Sequence, residues 1–347
     1  MLRAALIAVL LSASVAQAVD FKGRARLWVG PGIDTNAKRE FVSTGVVTET
    51  DGMLFGLLQL DAQLRFLERV QVVGSYEVGA RKFFTLATED TIVQAAQLEG
   101  TVTFLDMFAF GVIGRARDRR GALRDYTDLQ GGAVLDFFPT NQVDVRATLM
   151  AHRFLYYNRF EYSFWGPDGA LTARYRFDRR HSISASGGFN ARTYNARQRV
   201  RGPEGAQQET EDPRVDNVFS AGVSYSYRGP FHFTLAYSFF SQDSNSVGES
   251  VARHRVSATG GFVLPWKLNL LATIAWQPSI FPDGVYLNPD LSIVDDENVS
   301  SLTIKVVRPL TQWFDLDLRY AGYLGFYPQN NFLYLRHVIS VGLAFSF

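Results

Sequence analysis

The chain has 347 residues, with 35 Lys and Arg against 34 Asp and Glu, a formal charge of +1 and no cysteine. The even charge balance excludes a strongly basic nucleic-acid partner surface, and the missing cysteines exclude disulfides, thiolate metal sites and lipid attachment through a thiol. Aromatics make up 14% of the residues, yet after the first twenty residues no apolar run approaches the roughly 18 residues of a membrane helix.

The opening "MLRAALIAVLLSASVAQAVD" has Arg3, an apolar run from Ala4 to Leu11 and the small-residue site Ala16-Gln17-Ala18. This is the pattern of a secretory signal peptide over 1–18, leaving 19–347 as one mature domain. An exported chain without membrane helices either dissolves or crosses a membrane as strands.

Period-2 segments follow in chain order. "FKGRARLWVG" sets Phe21, Ala25, Leu27 and Val29 against Lys22, Arg24, Arg26 and Trp28, and "LLQLDAQLRF" sets Leu58, Leu60 and Leu64 against Gln59, Asp61 and Arg65. "PFHFTLAYSFF" and "WFDLDLRYAGYLG" alternate in the same way, the second with Asp315, Asp317 and Arg319 on its polar side. Such alternation belongs to strands with one apolar face.

Tight turns are predicted near 67–69, 105–106, 139–141, 178–180, 229–230, 265–267 and 310–312. Longer polar connectors are predicted at 31–50, 84–90, 119–125, 158–168, 198–214, 244–250, 279–297 and 327–331. Their alternation divides the chain into about 16 strands, each near the 9–11 residues that cross a bilayer when tilted. The predicted fold is therefore a transmembrane antiparallel up-and-down β-barrel. A soluble sandwich or propeller also alternates. Two features favour the barrel: large aromatics at strand ends (Phe108, Phe137, Tyr175, Tyr227, Phe262, Trp276) and charged faces that a two-sheet core would have to bury.

The chain ends "HVISVGLAFSF", with Ile339, Val341, Leu343, Phe345 and Phe347 on one parity. This resembles the terminal-strand signature of bacterial outer-membrane β-barrels. The resemblance implies an outer-membrane location, contact with outer-membrane lipid and assembly by the barrel assembly machinery, which reads such a segment. A second likeness is to polysaccharide-secretion barrels, whose opening strand runs into a Gly-x-Gly-x-Asp-x-Asn loop. "VGPGIDTNAKR" is similar to it at Gly30, Gly32, Asp34 and Asn36. That likeness implies export of a secreted polysaccharide, here with a separate periplasmic export protein as partner.

Strand parity places Lys22, Arg24, Arg26, Arg65, Arg81, Arg115, Arg117, Arg146, Arg174, Arg192, Arg255, Lys305, Arg319 and Arg336 in the lumen. The matching acids are Asp61, Glu77, Glu99, Asp128, Asp136, Asp144, Asp315 and Asp317. The excess of bases predicts an anion-favouring lumen, unless the charges pair across strands and merely stiffen the wall. The same parity places Trp28, Tyr156, Tyr194, Phe240, Tyr323 and Tyr334 inside, near the loop ends of their strands. They are predicted to form an aromatic collar suited to sugar rings, unless bulges return them to the outer girdle.

Of the five histidines, only His152 has lumen parity away from a turn, opposite the strand of Asp128 and Asp136. A hydrogen-bonded wall residue is expected there rather than a catalytic base. Asp315 and Asp317 read as a salt-bridged wall. No enzyme activity, cofactor or metal is expected. The function expected is a passive pore, first as a conduit for secreted polysaccharide. The alternatives are a diffusion porin for small, anionic solutes and a structural or adhesive barrel.

Overall fold

The computed structural model describes residues 19–40, 48–66, 69–121, 124–202, 206–282, 298–327 and 332–347. The predicted signal peptide lies outside them. The described chain forms seventeen antiparallel strand segments in one sheet. β14 (Ser279–Ile280) continues β13 (Leu268–Trp276) beyond Gln277-Pro278, so the wall has sixteen staves. The last strand, β17 (Phe332–Ser346), pairs with the first, β1 (Val19–Asp34), and the sheet closes on itself.

Alternation decides the two faces. In β1, Leu27, Val29 and Ile33 point outward and are exposed, while Trp28 and Asp34, of the other parity, are buried inside. The same holds for β17, with Ile339, Val341 and Leu343 outside and Arg336, Ser340 and Ala344 inside. A continuous exterior of exposed Leu, Val, Ile and Phe calls for hydrocarbon as its solvent. The strand-end aromatics Phe108, Phe137, Tyr175, Tyr227, Phe262 and Trp276 share the outward parity.

At two tight turns the backbone is left-handed at consecutive residues, Leu105 and Asp106 (φ 52° and 54°) and Trp266 and Lys267 (both φ 61°). That is the hairpin geometry whose twist matches the flanking strands, adopted here without glycine. The side chains of Leu105 and Trp266 stand in the open.

Four predicted connectors are corrected. The strand reading resumes at Phe164, where β8 (Phe164–Arg176) begins, so the 158–168 loop is cut to 157–163. β1 runs on to Asp34, inside the predicted 31–50 loop. The 198–214 loop is largely strand: β9 (His181–Arg201) and β10 (Gln207–Arg228) have 21 and 22 residues and pair beyond the others, with register shifts around Pro213. A hairpin that rises above the wall has water on both faces, so it loses the apolar parity that marks a strand in the sequence. Part of the 279–297 connector is strand (Ser279–Ile280), and its residues 283–297 lie outside the described ones, as do Leu67-Glu68 of the first predicted turn and 328–331 of the last connector.

The seam between β1 and β17 accounts for the Gly-x-Gly-x-Asp-x-Asn stretch. Odd residues of β1 face β17 in the ladder: Ala25 and Phe347 exchange both backbone hydrogen bonds, and the Thr35 N–H donates to the His337 carbonyl at 3.0 Å. Pro31 falls in this series without an N–H to give, and pairing with β17 lapses at Gly30 and Pro31 before resuming at Gly32↔Ser340. Around this gap the strands are pressed together. A Cβ at Gly30 would stand 1.9 Å from the Val341 carbonyl oxygen.

Side chains close the seam above the gap. Asp34, fully buried, accepts from the Arg336 Nε at 2.9 Å, and Arg336 is 1% exposed. Asn36 donates to the carbonyls of Glu40 (2.8 Å) and Leu335 (3.2 Å) and accepts from the Glu40 N–H (3.0 Å). The residues that carry the likeness to secretion barrels here help bind the first strand to the last.

The clash predicts that Gly30→Ala prevents a closed barrel from accumulating, whereas Gly114→Ala, where an added Cβ meets nothing within 4 Å, assembles normally. Heat-modifiable migration of membrane fractions on a semi-native gel distinguishes the two outcomes.

Candidate functional site: the charged lumen

The inner wall is polar, and its charges fall into two populations. The first is tied down. Asp317, fully buried, accepts from Arg319 (Nε 2.9 Å, Nη2 3.0 Å) and lies 3.1 Å from Lys305 on the neighbouring strand. Arg146 is bonded to Glu99 and sits 3.7 Å from Asp136. Arg336 is held by Asp34. Farther up, Arg214 makes a two-pronged bond to Asp216 (2.9 and 2.6 Å) and reaches Glu249 at 2.9 Å, which also binds Arg199. Burial pushes the Glu249 carboxyl up against the opposing pull of these two arginines.

The second population is uncommitted. Among the described residues Arg24, Arg26, Arg65, Arg115, Arg117, Arg174 and Arg192 make no ion pair. Arg115 hydrogen-bonds Gln97, Arg174 reaches Ser184 at 3.5 Å, and Arg192 binds Asn190. Arg24, Arg65 and Arg174 are exposed on the inner wall. The Arg26 Nε and the Trp28 indole N–H are both buried without an acceptor among the described residues. Around Trp28, donors exceed acceptors.

The predicted collar residues all point inward but do not stand in one ring. Trp28 lies six residues before the end of β1, about 20 Å below it along the strand, in contact with Phe55 (centroids 3.8 Å apart). Tyr334, fully buried, packs with Val299 and Tyr323 near the outer end of the seam. Tyr194 and Tyr156 join a row of rings across four strands. Tyr126, Phe154, Phe164 and Tyr194 follow at centroid distances of 5.0, 5.4 and 5.1 Å, and Tyr156 lies 6.3 Å from Phe154. Phe240 stands apart from all of these.

Five arginines lie over these rings. Arg319 lies 3.4 Å from the Trp28 centroid, Arg214 4.2 Å from Tyr194, Arg192 4.9 Å from Phe164, Arg253 5.3 Å from Phe240 and Arg336 5.7 Å from Tyr323. Such contacts attract a guanidinium to the ring face and occupy it. The lumen therefore presents guanidinium edges where bare ring faces were expected.

Sequence reasoning missed Phe55, Phe154 and Phe164 as lumen aromatics, and Arg214 and Arg253 as their caps. Phe164 and Arg214 were lost inside predicted loops. Phe55 and Phe154 carried the right parity, two residues from Leu57 and His152, and were findable.

His152 is buried in a network of its own. Its Nε2 lies 2.8 Å from the Asp128 carboxylate, and the Asn190 amide donates to its Nδ1 at 3.1 Å and to Asp168 at 2.8 Å. Arg192 in turn donates to the Asn190 oxygen at 2.8 Å. Both ring nitrogens are occupied, which fixes the Nε2–H tautomer and leaves no ring nitrogen for a reacting group. Among the described residues no group of three metal-ligating side chains converges.

No family model matches the chain, and no curated protein sequence matches it. Solved structures do. A loop L8 deletion mutant of OmpT, an outer membrane protein of Vibrio cholerae, aligns at TM-score 0.51 and 9% identity, covering 95% of this chain and all of that one. A bacterial polysaccharide outer membrane secretin aligns at 0.47 and 10% identity over 93% and 98%. A deletion mutant of the TodX monoaromatic hydrocarbon channel aligns at 0.44 and 8% identity over 95% and 90%. At these identities the likeness is one of fold. The chain has the closed antiparallel architecture of outer-membrane β-barrels.

Removing the carboxylate from the buried triad leaves Arg319 and Lys305 facing each other. Asp317→Asn is expected to lower barrel stability by about 3–5 kcal/mol, the usual cost of breaking a buried pair from one side. Adding Lys305→Met to that variant should recover part of the loss. Urea unfolding in lipid vesicles, followed by tryptophan fluorescence, measures both.

Proposed function

We propose that this protein is integral to the outer membrane and forms a passive aqueous pore that favours anionic hydrophilic solutes. The observation that carries this reading is the set of seven inner-wall arginines without an ion-pair partner among the described residues. Paired charges such as Asp317 and Arg319 cancel at short range and brace the wall. Unpaired ones set the potential that a passing solute meets. Asp61 and Glu77 also face the lumen, but cations outnumber the free carboxylates. The saturated His152 network supports transport rather than catalysis.

A second reading, export of a secreted polysaccharide with a periplasmic partner, is favoured by the row from Tyr126 to Tyr194. Guanidinium edges beside aromatic walls suit an acidic glycan, whose carboxylates take the charge while its ring faces slide past. This reading ranks second for two reasons. The Gly-x-Gly-x-Asp-x-Asn stretch is occupied with the seam, and the rings that would stack on sugar are capped.

Reversal potentials across planar bilayers in a potassium chloride gradient test the first reading. The native barrel should prefer chloride, and replacing Arg24, Arg26, Arg65 and Arg117 together by Gln should move the ratio toward potassium several-fold. A native cation preference overturns it. The export reading predicts that deletion removes surface polysaccharide while small-solute uptake stays unchanged. It further predicts that the Trp28, Tyr323 and Tyr334 triple alanine variant impairs polymer output while still showing heat-modifiable migration, and normal output from that variant ends it.

A further inference from the structure

The outer surface carries one feature that a pore does not require. On the outward face of β7 (Val143–Tyr156), between Ala151 and Leu155, stands Arg153. Among the described residues it has no hydrogen-bond or ion-pair partner. Lys82 and Arg120, outward cations near the same rim, are neutralised by Asp90 and Asp118. Arg153 lies three residues, about 10 Å, below the outer end of its strand. An unpaired guanidinium there is costly in hydrocarbon and reaches upward along its stem toward the headgroups.

Directly below it the wall is hollow. A groove of about 1060 Å³ crosses β4 to β8, with a lining almost entirely apolar. Its floor is one ladder row, Gly114, Gly131 and Ala151, with Leu98 at one end of the row and Leu149 and Trp165 as walls. Backbone packing does not demand these glycines. A Cβ on Gly114 would meet nothing within 4 Å, and one on Gly131 only the Ile113 carbonyl at 3.9 Å. Neither has a positive φ. The contrast with Gly30 is sharp, because there the backbone leaves no room. The hollow is thus an absence of side chains at positions that would accept them.

Trp165 pairs with Arg153 in the β7–β8 ladder and is 56% exposed, the placement of an interfacial aromatic. An apolar trough three strands wide, ending at an unpaired guanidinium beside an interfacial tryptophan, complements one kind of partner. We propose that this face binds a phosphate-bearing membrane lipid, with the phosphate on Arg153 and an acyl chain across Gly131. Guanidinium groups take phosphate oxygens two at a time, and the chain fills a surface that bulk lipid would cover without specificity. The proposal rests on the reading of the barrel as membrane-embedded, but not on the pore's selectivity.

Native mass spectrometry of the intact barrel, released from detergent with added lipid, tests it. Dipalmitoyl phosphatidic acid should be retained at least tenfold more strongly than dipalmitoyl glycerol, which has the same chains without the phosphate. Arg153→Gln should erase that preference. Gly131→Leu, which fills the trough, should weaken retention of both lipids several-fold, and Ala151→Leu serves the same purpose should Gly131→Leu fail to assemble. Equal retention of the two lipids by the native barrel, or an unchanged preference in Arg153→Gln, overturns the proposal. Displacement by inorganic phosphate alone would assign Arg153 to a small anion and overturn it too. Single-channel conductance of the same variants should equal that of the native protein, so a failure of the lipid site is separable from a failure of the pore.

Discussion

A strand in hydrocarbon has nowhere to place an unpaired N–H or C=O, so a membrane sheet is stable only when its first strand finds its last. Every other pairing in this barrel joins neighbours in sequence, across connectors of at most 19 residues. The closing pair joins residues some 300 positions apart, with the full loss of chain entropy that implies. Several residues at this seam leave little room for replacement. Gly30 allows an approach no side chain would permit, Pro31 interrupts the ladder, and Asp34, Asn36 and Arg336 bridge the strands with buried polar contacts. A buried ion pair adds little net stability over apolar packing, but it tolerates only one register. At a seam where a shift of one residue would turn the apolar face inward, that intolerance is the useful property.

Much of this architecture was legible because each stave separates two solvents. Parity survives wherever one face meets hydrocarbon and the other water, so the strand count, the inward position of Trp28, Tyr334 and Arg336 and the outward position of Leu343 and Phe345 could all be read directly. It fails where the solvents match. The upper halves of β9 and β10 are wet on both sides, read as loop, and concealed Arg214. Phe164 was hidden in the same way by the polar stretch before it. The role of the Gly-x-Gly-x-Asp-x-Asn stretch was hidden for another reason. Its residue types suit a ligand loop and a tight seam equally, and only the partner strand, absent from any local window, distinguishes them.

Which arginines are free was equally beyond the sequence. Arg319 and Arg26 have the same parity and comparable neighbours, yet Arg319 is clamped by Asp317 and lies over Trp28, while the Nε of Arg26 is buried without an acceptor. The difference arises from register: β16 (Phe314–Tyr327) presents Asp317 two residues before Arg319, on the same face, and the wall's curvature brings both beneath the first strand. Cross-strand pairing thus sorts a uniform list of lumen cations into braces and free charges.

The same sorting operates on the outside, with the opposite consequence. Inside the barrel an arginine without a carboxylate can turn to the lumen water, as the exposed Arg24, Arg65 and Arg174 do, so its field reaches whatever enters. Outside, water is absent below the headgroups, and the barrel pairs its outward charges or keeps them at the rim. Arg153 departs from that rule above a floor of glycines that nothing in the backbone requires. Two unrelated economies are relaxed at one place: a charge left without its counter-charge, and apolar area left without its side chains. Each alone would be a tolerable irregularity. Together, and in the order that a lipid has from phosphate down to chain, they describe the partner that would make both favourable.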